Sequence, residues 1–333
     1  MKIQTMKIIL FTAVCVVAGW AQIQAQELPL FTQYREFQSF INPAALPVDY
    51  LSQTYQPTQT AGISYRNQWI NYDGGPTTMT ARYEFIAEDW NSVFGGNLVH
   101  DKTGRFSRSG AFLRYAYDIE FTRTSKLTIG AKFGAYQNKY DSKDGVLQDP
   151  GDLTGETNVN QIIPDFGVGA FYMQEFYNDD IFYAGVSVPQ FGNSLGSSSG
   201  NRKPEFLYEA THLFINAGFY KKLNLESNFG SRSMFVEPSL WIKYVEAAPL
   251  QTDLNMRVHF PDALWVGIGY GLSFEEKLQG NFLHFEGGVV IDEVFGLYDK
   301  DIKIGFGYDN IFGNLGYGGF GNSFEVNVSF SWL

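Results

Sequence analysis

Few residues of this 333-residue chain are of a type that does chemistry, and their spacing decides what they are for. Four histidines, His100, His212, His259 and His284, have side chains that titrate near neutral pH. They are scattered over four segments of alternating polarity, at polar or segment-end positions where hydrogen bonding is the ordinary use. No H-E-x-x-H pair of metal ligands occurs. Gly316-Tyr317-Gly318-Gly319-Phe320-Gly321 spells G-x-G-x-x-G, but that motif holds a phosphate only where a helix N-terminus follows the glycines. A strand pattern follows here, so a flexible glycine-rich loop is expected. The stretch 138–164 sets Asp141, Asp144, Asp149, Asp152 and Glu156 against Lys139 and Lys143. Such carboxylates are of the type that binds Ca²⁺, yet the spacing matches no EF-hand, and a solvated contact loop is the plainer reading. No residue is assigned to catalysis, to a cofactor or to a metal.

The elements that carry these residues read as strands. The plainest is 323–333, where Phe324, Val326, Val328, Phe330 and Trp332 alternate with Ser323, Glu325, Asn327, Ser329 and Ser331. A strict period of two gives one apolar and one polar face. The same alternation recurs from Thr58 onward: Met79, Ala81, Tyr83 and Phe85 against Arg82 and Glu84, Leu113, Tyr115 and Tyr117 against Arg114 and Asp118, Leu254, Met256 and Val258 against Asp253 and Arg257. Fourteen strands are expected, at roughly 60–70, 77–87, 92–100, 108–120, 126–137, 165–176, 181–188, 207–220, 233–244, 250–260, 263–273, 281–291, 301–309 and 322–332. Connections alternate between short ones and ones that include 138–164, 189–206 and 310–321, as in an outer-membrane barrel with short periplasmic turns and long external loops, with a long 221–232 and a short 245–249 as exceptions. Glu27 to Pro57 is different: Thr32 is placed to cap a short helix bearing Phe31, Tyr34, Phe37 and Ile41, which Asn42-Pro43 would stop.

Residues 1–25 have the form of a secretory signal, with Lys2 and Lys7 before an apolar core too short to span a bilayer and Ala25 as the last residue before cleavage. Cys15, the only cysteine, lies in that core after Val14, which argues against lipidation. The remaining chain then has no disulfide or thiolate metal site. Loss of Lys2 and Lys7 moves the formal charge from −11 to −13, so a nucleic-acid partner is not expected. Aromatics are 17 % and charged residues 18 %, the latter below the ~25 % of an average soluble domain. Trp69, Tyr72, Trp90, Tyr117, Phe121, Tyr177, Tyr220, Tyr244, Trp265 and Tyr308 fall near strand ends, as an interfacial girdle requires. The fold expected is therefore an all-β, antiparallel transmembrane barrel over 58–333, its charged faces turned to the lumen and its apolar faces to outer-membrane lipid. In it Arg82, Glu84, Arg114, Asp118 and Arg257 are lumen charges, and Arg66 pairs internally with a neighbour such as Glu84. Fourteen strands lie between filled barrels and open ones, and 26–57 is expected to serve as a plug or periplasmic contact.

Several ordered blocks resemble the PorP/SprF family of outer-membrane proteins of type IX secretion and gliding. Leu30-Phe31-Thr32-Gln33-Tyr34, then Ile41-Asn42-Pro43-Ala44, resembles its N-terminus; Tyr65-Arg66-Asn67-Gln68-Trp69, then Gly75-Pro76-Thr77-Thr78, resembles its most recognisable motif. Pro238-Ser239-Leu240, Ile242-Lys243-Tyr244, Asp253-Leu254-Asn255, Trp265-Val266-Gly267, Gly307-Tyr308-Asp309 and Ser323-Phe324-Glu325-Val326 follow in order. The chain departs from the family at Ala45-Leu46-Pro47, where Tyr-Ala-Gly often follows Asn-Pro-Ala. The resemblance implies a barrel without enzymatic activity or cofactor. It would act with a secreted cell-surface protein, such as an adhesin, whose C-terminal signal domain routes it through the type IX system, and with other components of that system. It also implies that Asn42, Pro43, Tyr65, Arg66, Gln68, Trp69 and Pro76 are the family-motif residues. The alternatives are a small-molecule porin or apolar-solute channel and, further off, an outer-membrane hydrolase using His100 or His259.

Overall fold

The computed structural model describes residues 31–47, 57–140, 159–191, 210–223, 234–245, 248–260, 264–274, 281–291, 296–311 and 321–333. The expected signal segment, most of the loop 138–164 and the glycine run at 316–320 lie outside them. Fourteen strands form one closed antiparallel barrel: β1 (Gln59–Asn67), β2 (Thr77–Ala87), β3 (Ser92–Thr103), β4 (Phe106–Thr122), β5 (Ser125–Tyr140), β6 (Val159–Glu175), β7 (Ile181–Gln190), β8 (His212–Leu223), β9 (Met234–Val245), β10 (Gln251–Phe260), β11 (Leu264–Ser273), β12 (Phe282–Ile291), β13 (Lys300–Ile311) and β14 (Ser323–Trp332). Each strand pairs with its neighbour in sequence, and β14 pairs with β1 to close the ring. Every strand has about the 9–11 residues needed to cross a bilayer at a tilt; β4, β5 and β6, at 17, 16 and 17 residues, exceed it.

The burial pattern is that of a soluble protein turned inside out, and it separates a barrel from a sandwich where alternation alone does not. On β2, Thr78, Thr80, Arg82 and Glu84 are buried, while Met79, Tyr83 and Phe85 are exposed. On β14, Ser323, Glu325, Asn327, Ser329 and Ser331 are buried, and Val326, Val328 and Phe330 are exposed. A membrane supplies the apolar surroundings the outward rows need, and closure leaves no unpaired strand edge in lipid. Among the described residues no helix is long and apolar enough to cross a membrane. Pro189, which cannot donate to a ladder, sits where the β7–β8 register shifts between Ser187 and Gln190.

The structure departs from the sequence reading in several places. The first strand ends at Asn67 rather than near 70, because Gln68 N–H donates to Pro76 O at 2.8 Å and Trp69 takes a left-handed conformation (φ 57) to start the turn. Helix α1 is a single turn, Gln38–Ile41, and Thr32 does not cap it; the residue before α1 is Phe37, with no side-chain cap. Asn42 does end it, with the extended backbone (φ −134, ψ 113) that a following proline favours. Tyr220 and Trp265 are not girdle residues: both are buried towards the lumen, whereas Trp90, Phe121 and Tyr177 are exposed near strand ends.

Candidate functional site

The site is the lumen, where residues 31–47 are buried nearly throughout. Two apolar clusters seat the segment. Phe31, Tyr34, Phe37 and Ile41 pack with Phe112, Tyr136, Phe214 and Trp241 of the wall, Tyr34 stacking on Trp241 with ring centroids 4.9 Å apart. Ala44, Ala45 and Leu46 pack with Ile86, Val93, Phe171, Tyr183 and Tyr220. Fully burying one such large side chain is worth about 1.5–3 kcal/mol. These apolar residues, recurring every three or four positions along 31–41, therefore hold the segment even though only one turn of it is helical.

Polar contacts orient it. Thr32 N–H donates to Glu325 Oε2 (2.9 Å), its hydroxyl donates to Asp309 (2.9 Å), and Gln33 Oε1 accepts from Asn327 Nδ2 (2.7 Å). The Tyr34 hydroxyl meets Ser239 Oγ at 2.7 Å. Arg35 is ion-paired with Glu237 and bonded to the hydroxyls of Tyr183 and Tyr220, its guanidinium 4.5 Å from the Tyr183 ring centroid. Glu36 accepts from Arg257 at 2.9 Å, and Arg257 also pairs with Glu286 at 2.6 Å. Ser39 O accepts from Asn97 Nδ2, and Ile41 O accepts from Ser187 Oγ at 2.8 Å. Arg114 donates to the carbonyls of Pro43 (3.1 Å) and Ala45 (2.9 Å).

At the turn 42–45, Asn42 Nδ2 donates to Ala170 O at 3.0 Å, while its Oδ1 accepts the Ala44 N–H at 2.9 Å. The turn lies on glycines: a Cβ at Gly130 would stand 2.5 Å from the Pro43 carbonyl, and one at Gly169 would overlap the Asn42 amide. With Phe37 beside Arg82, the segment reaches β1 to β10, β13 and β14. It starts beside Arg66, Asp309 and Glu325, near the end of the barrel that carries the β1–β2 and β13–β14 connections. It finishes against Ile86 and Val93, at the opposite end, where the strands of the wall begin and end.

The residues singled out by type fall as follows. Arg82 and Arg114 share Glu84, at 3.0 and 3.1 Å. Asp118 accepts from Lys126 (3.0 Å) and Thr128 (2.6 Å). Arg66 does not pair with Glu84: it pairs with Asp309 at 2.6 Å and Glu325 at 3.4 Å, because closure brings β13 and β14 beside β1 while Arg82 and Arg114 occupy Glu84. Tyr65 faces outward against Phe324, with ring centroids 6.0 Å apart. Gln68, Trp69 and Pro76 form the β1–β2 turn, where a Cβ on Gly75 would stand 2.6 Å from Gln68 O.

Arg35, Glu36, Glu237 and Asp309 were not singled out as pairing residues. Their signal was there: adjacent opposite charges inside an aromatic run, and two carboxylates on lumen-parity positions of β9 and β13. The histidines stay apart: His100 meets Ser109, His212 a carbonyl, and His259 Glu237. Gly196-Ser197-Ser198-Ser199-Gly200 also spells G-x-S-x-G, but it lies between β7 and β8, outside the described residues. Among the described residues no group of three or more His, Cys, Asp or Glu is placed to hold a metal ion.

The family model described as type IX secretion system membrane protein PorP/SprF matches residues 23–330. The chain belongs to the PorP/SprF family. It is thus an outer-membrane barrel of a secretion-associated family. No curated protein sequence matches it. Among solved structures it is similar to the toluene transporter TodX of P. putida, at 10 % identity and TM-score 0.49 over 88 % of this chain and 93 % of that one. It is also similar to Omp33 of Acinetobacter baumannii, at 7 % and 0.43 over 83 % and 98 %. CdiB of Acinetobacter baumannii matches at 8 % and 0.46 over 83 % of this chain but only 60 % of its own length.

Proposed function

We propose that this PorP/SprF protein is a non-enzymatic, closed outer-membrane platform that helps export or hold a secreted cell-surface protein of the adhesin type, one carrying a type IX C-terminal sorting domain. The observation that carries the reading is the occupied lumen. Residues 31–47 meet twelve of the fourteen strands, with apolar clusters and ion pairs on the same segment. A wall so filled serves as a support more readily than as a conduit, so 26–57 acts as a plug and partner contact falls to the connections 138–164, 189–206 and 310–321. Family membership supports the type IX context.

The test has two arms. Affinity purification from the native outer membrane is expected to bring down a large secreted surface protein with other type IX components, and trimming those three connections to lose it while the barrel still assembles. In planar bilayers the intact protein is expected to conduct poorly, and a chain lacking 28–56 to conduct in steps. Conductance of the intact protein without a co-purifying protein would replace this reading with a solute channel.

A further inference from the structure

The pairing that closes the barrel differs from the others in its covalent context. Every other pair of strands is joined by a connection between neighbours, whereas β1 and β14 are joined only through the whole wall. Such a closure carries the largest loop entropy in the molecule. On its lumen side the seam is lightly held. Thr60 donates to Ser331 Oγ at 3.2 Å, while Gly62 faces Ser329 and Ser64 faces Asn327. The one ion pair across it, Arg66 with Glu325, is 3.4 Å long, beyond the usual range of a charge-assisted hydrogen bond.

Thr32 bridges that pair. Its N–H donates to Glu325 Oε2 at 2.9 Å, its hydroxyl accepts from Arg66 Nη1, and the same hydroxyl donates to Asp309 on β13. Gln33 adds its N–H to Glu325 Oε1 at 3.3 Å and accepts from Asn327 Nδ2 at 2.7 Å. It lies on Gly305 of β13, where any Cβ would overlap its amide. Two residues thus join three strands, including the first and the last.

We propose that the N-terminal segment is a clasp on the closing seam: Thr32 and Gln33 couple β1 to β14 through Arg66 and Glu325, so that the wall closes around a seated segment and the seam loosens without it. This assigns the segment a role in assembly that does not depend on which surface protein the barrel serves.

Hydrogen exchange on the purified full-length protein tests it. In Thr32→Val/Gln33→Leu, amides of 59–67 and 323–332 are expected to exchange at least about tenfold faster, with those of β4 and β5 unchanged. Tyr34→Phe, which removes the hydroxyl's contacts with Ser239 and Asn255 on the far side of the lumen, is expected to leave the seam unchanged. An unaltered seam, or equal acceleration around the whole wall, overturns the proposal. Should the double variant fail to assemble, cysteines placed at Ser64 and Asn327, which face each other across the seam, decide the matter. A disulfide that restores assembly supports the clasp, and failure to restore it overturns it.

Discussion

Arg35 shows how much a single lumen residue commits the rest. It is fully enclosed, ion-paired to Glu237 on β9 and bonded to Tyr183 on β7 and Tyr220 on β8. Removing one partner of a buried pair leaves an uncompensated charge, at a cost of about 3–5 kcal/mol. Glu237→Leu is therefore expected to lower the denaturant midpoint of the folded barrel sharply. Arg35→Leu/Glu237→Leu should recover much of that loss, a double-mutant comparison that separates the pair from its packing. On the outer surface the opposite logic holds. Val328 is exposed to lipid near the middle of β14, and Val328→Arg should cost about 2–4 kcal/mol and reduce the barrel recovered in the outer membrane. Glu325, three residues earlier, places a carboxyl group in the same strand away from lipid, because parity turns it to the lumen and to Thr32.

Among the elements, the strands and their closed antiparallel order were legible, and the side chains that meet across them were not. Lipid on one side and a polar interior on the other impose a period of two on every strand, and a period of two survives in the sequence. The position of Arg66 opposite Glu325 is set by the last strand returning to the first, a separation of 259 residues that no local pattern encodes. Thr32 is placed by type to cap a helix, but its hydroxyl is taken by Arg66 and Asp309, and the helix starts only at Gln38. Tyr220 lies near a strand end, where a girdle residue is expected, yet it shares parity with Phe214, Asn216 and Gly218 and so faces inward. The turn at Asn42-Pro43 belongs to this scale too. Its seat on Gly130 leaves no room for a side chain, so Gly130→Leu should unseat the segment while the fourteen strands still pair. Single-channel recordings in planar bilayers would register this as current above that of the unaltered protein.

For the molecule as a whole, wall and segment form one body, a polar lumen holding two apolar clusters, although the wall taken alone would be a ring with nothing in its middle. The lipid-facing rows need only be apolar, and many residues satisfy them. The lumen is more exacting, since inward side chains such as Arg114, Ser187, Glu237, Arg257 and Glu325 answer particular positions on residues 31–47. The aromatics near the strand ends set the depth of the ring in the bilayer; the segment sets what the ring encloses. This has a consequence for inheritance within the family. Because Arg35 is answered from three strands and the turn at Asn42 from glycines on others, neither part can change freely while the other stands still. A chimera that carries 31–47 from a distant family member on this wall should fail to assemble. The same chimera should succeed once the residues at 183, 220 and 237 are exchanged along with it, so that the segment and its socket descend as a pair.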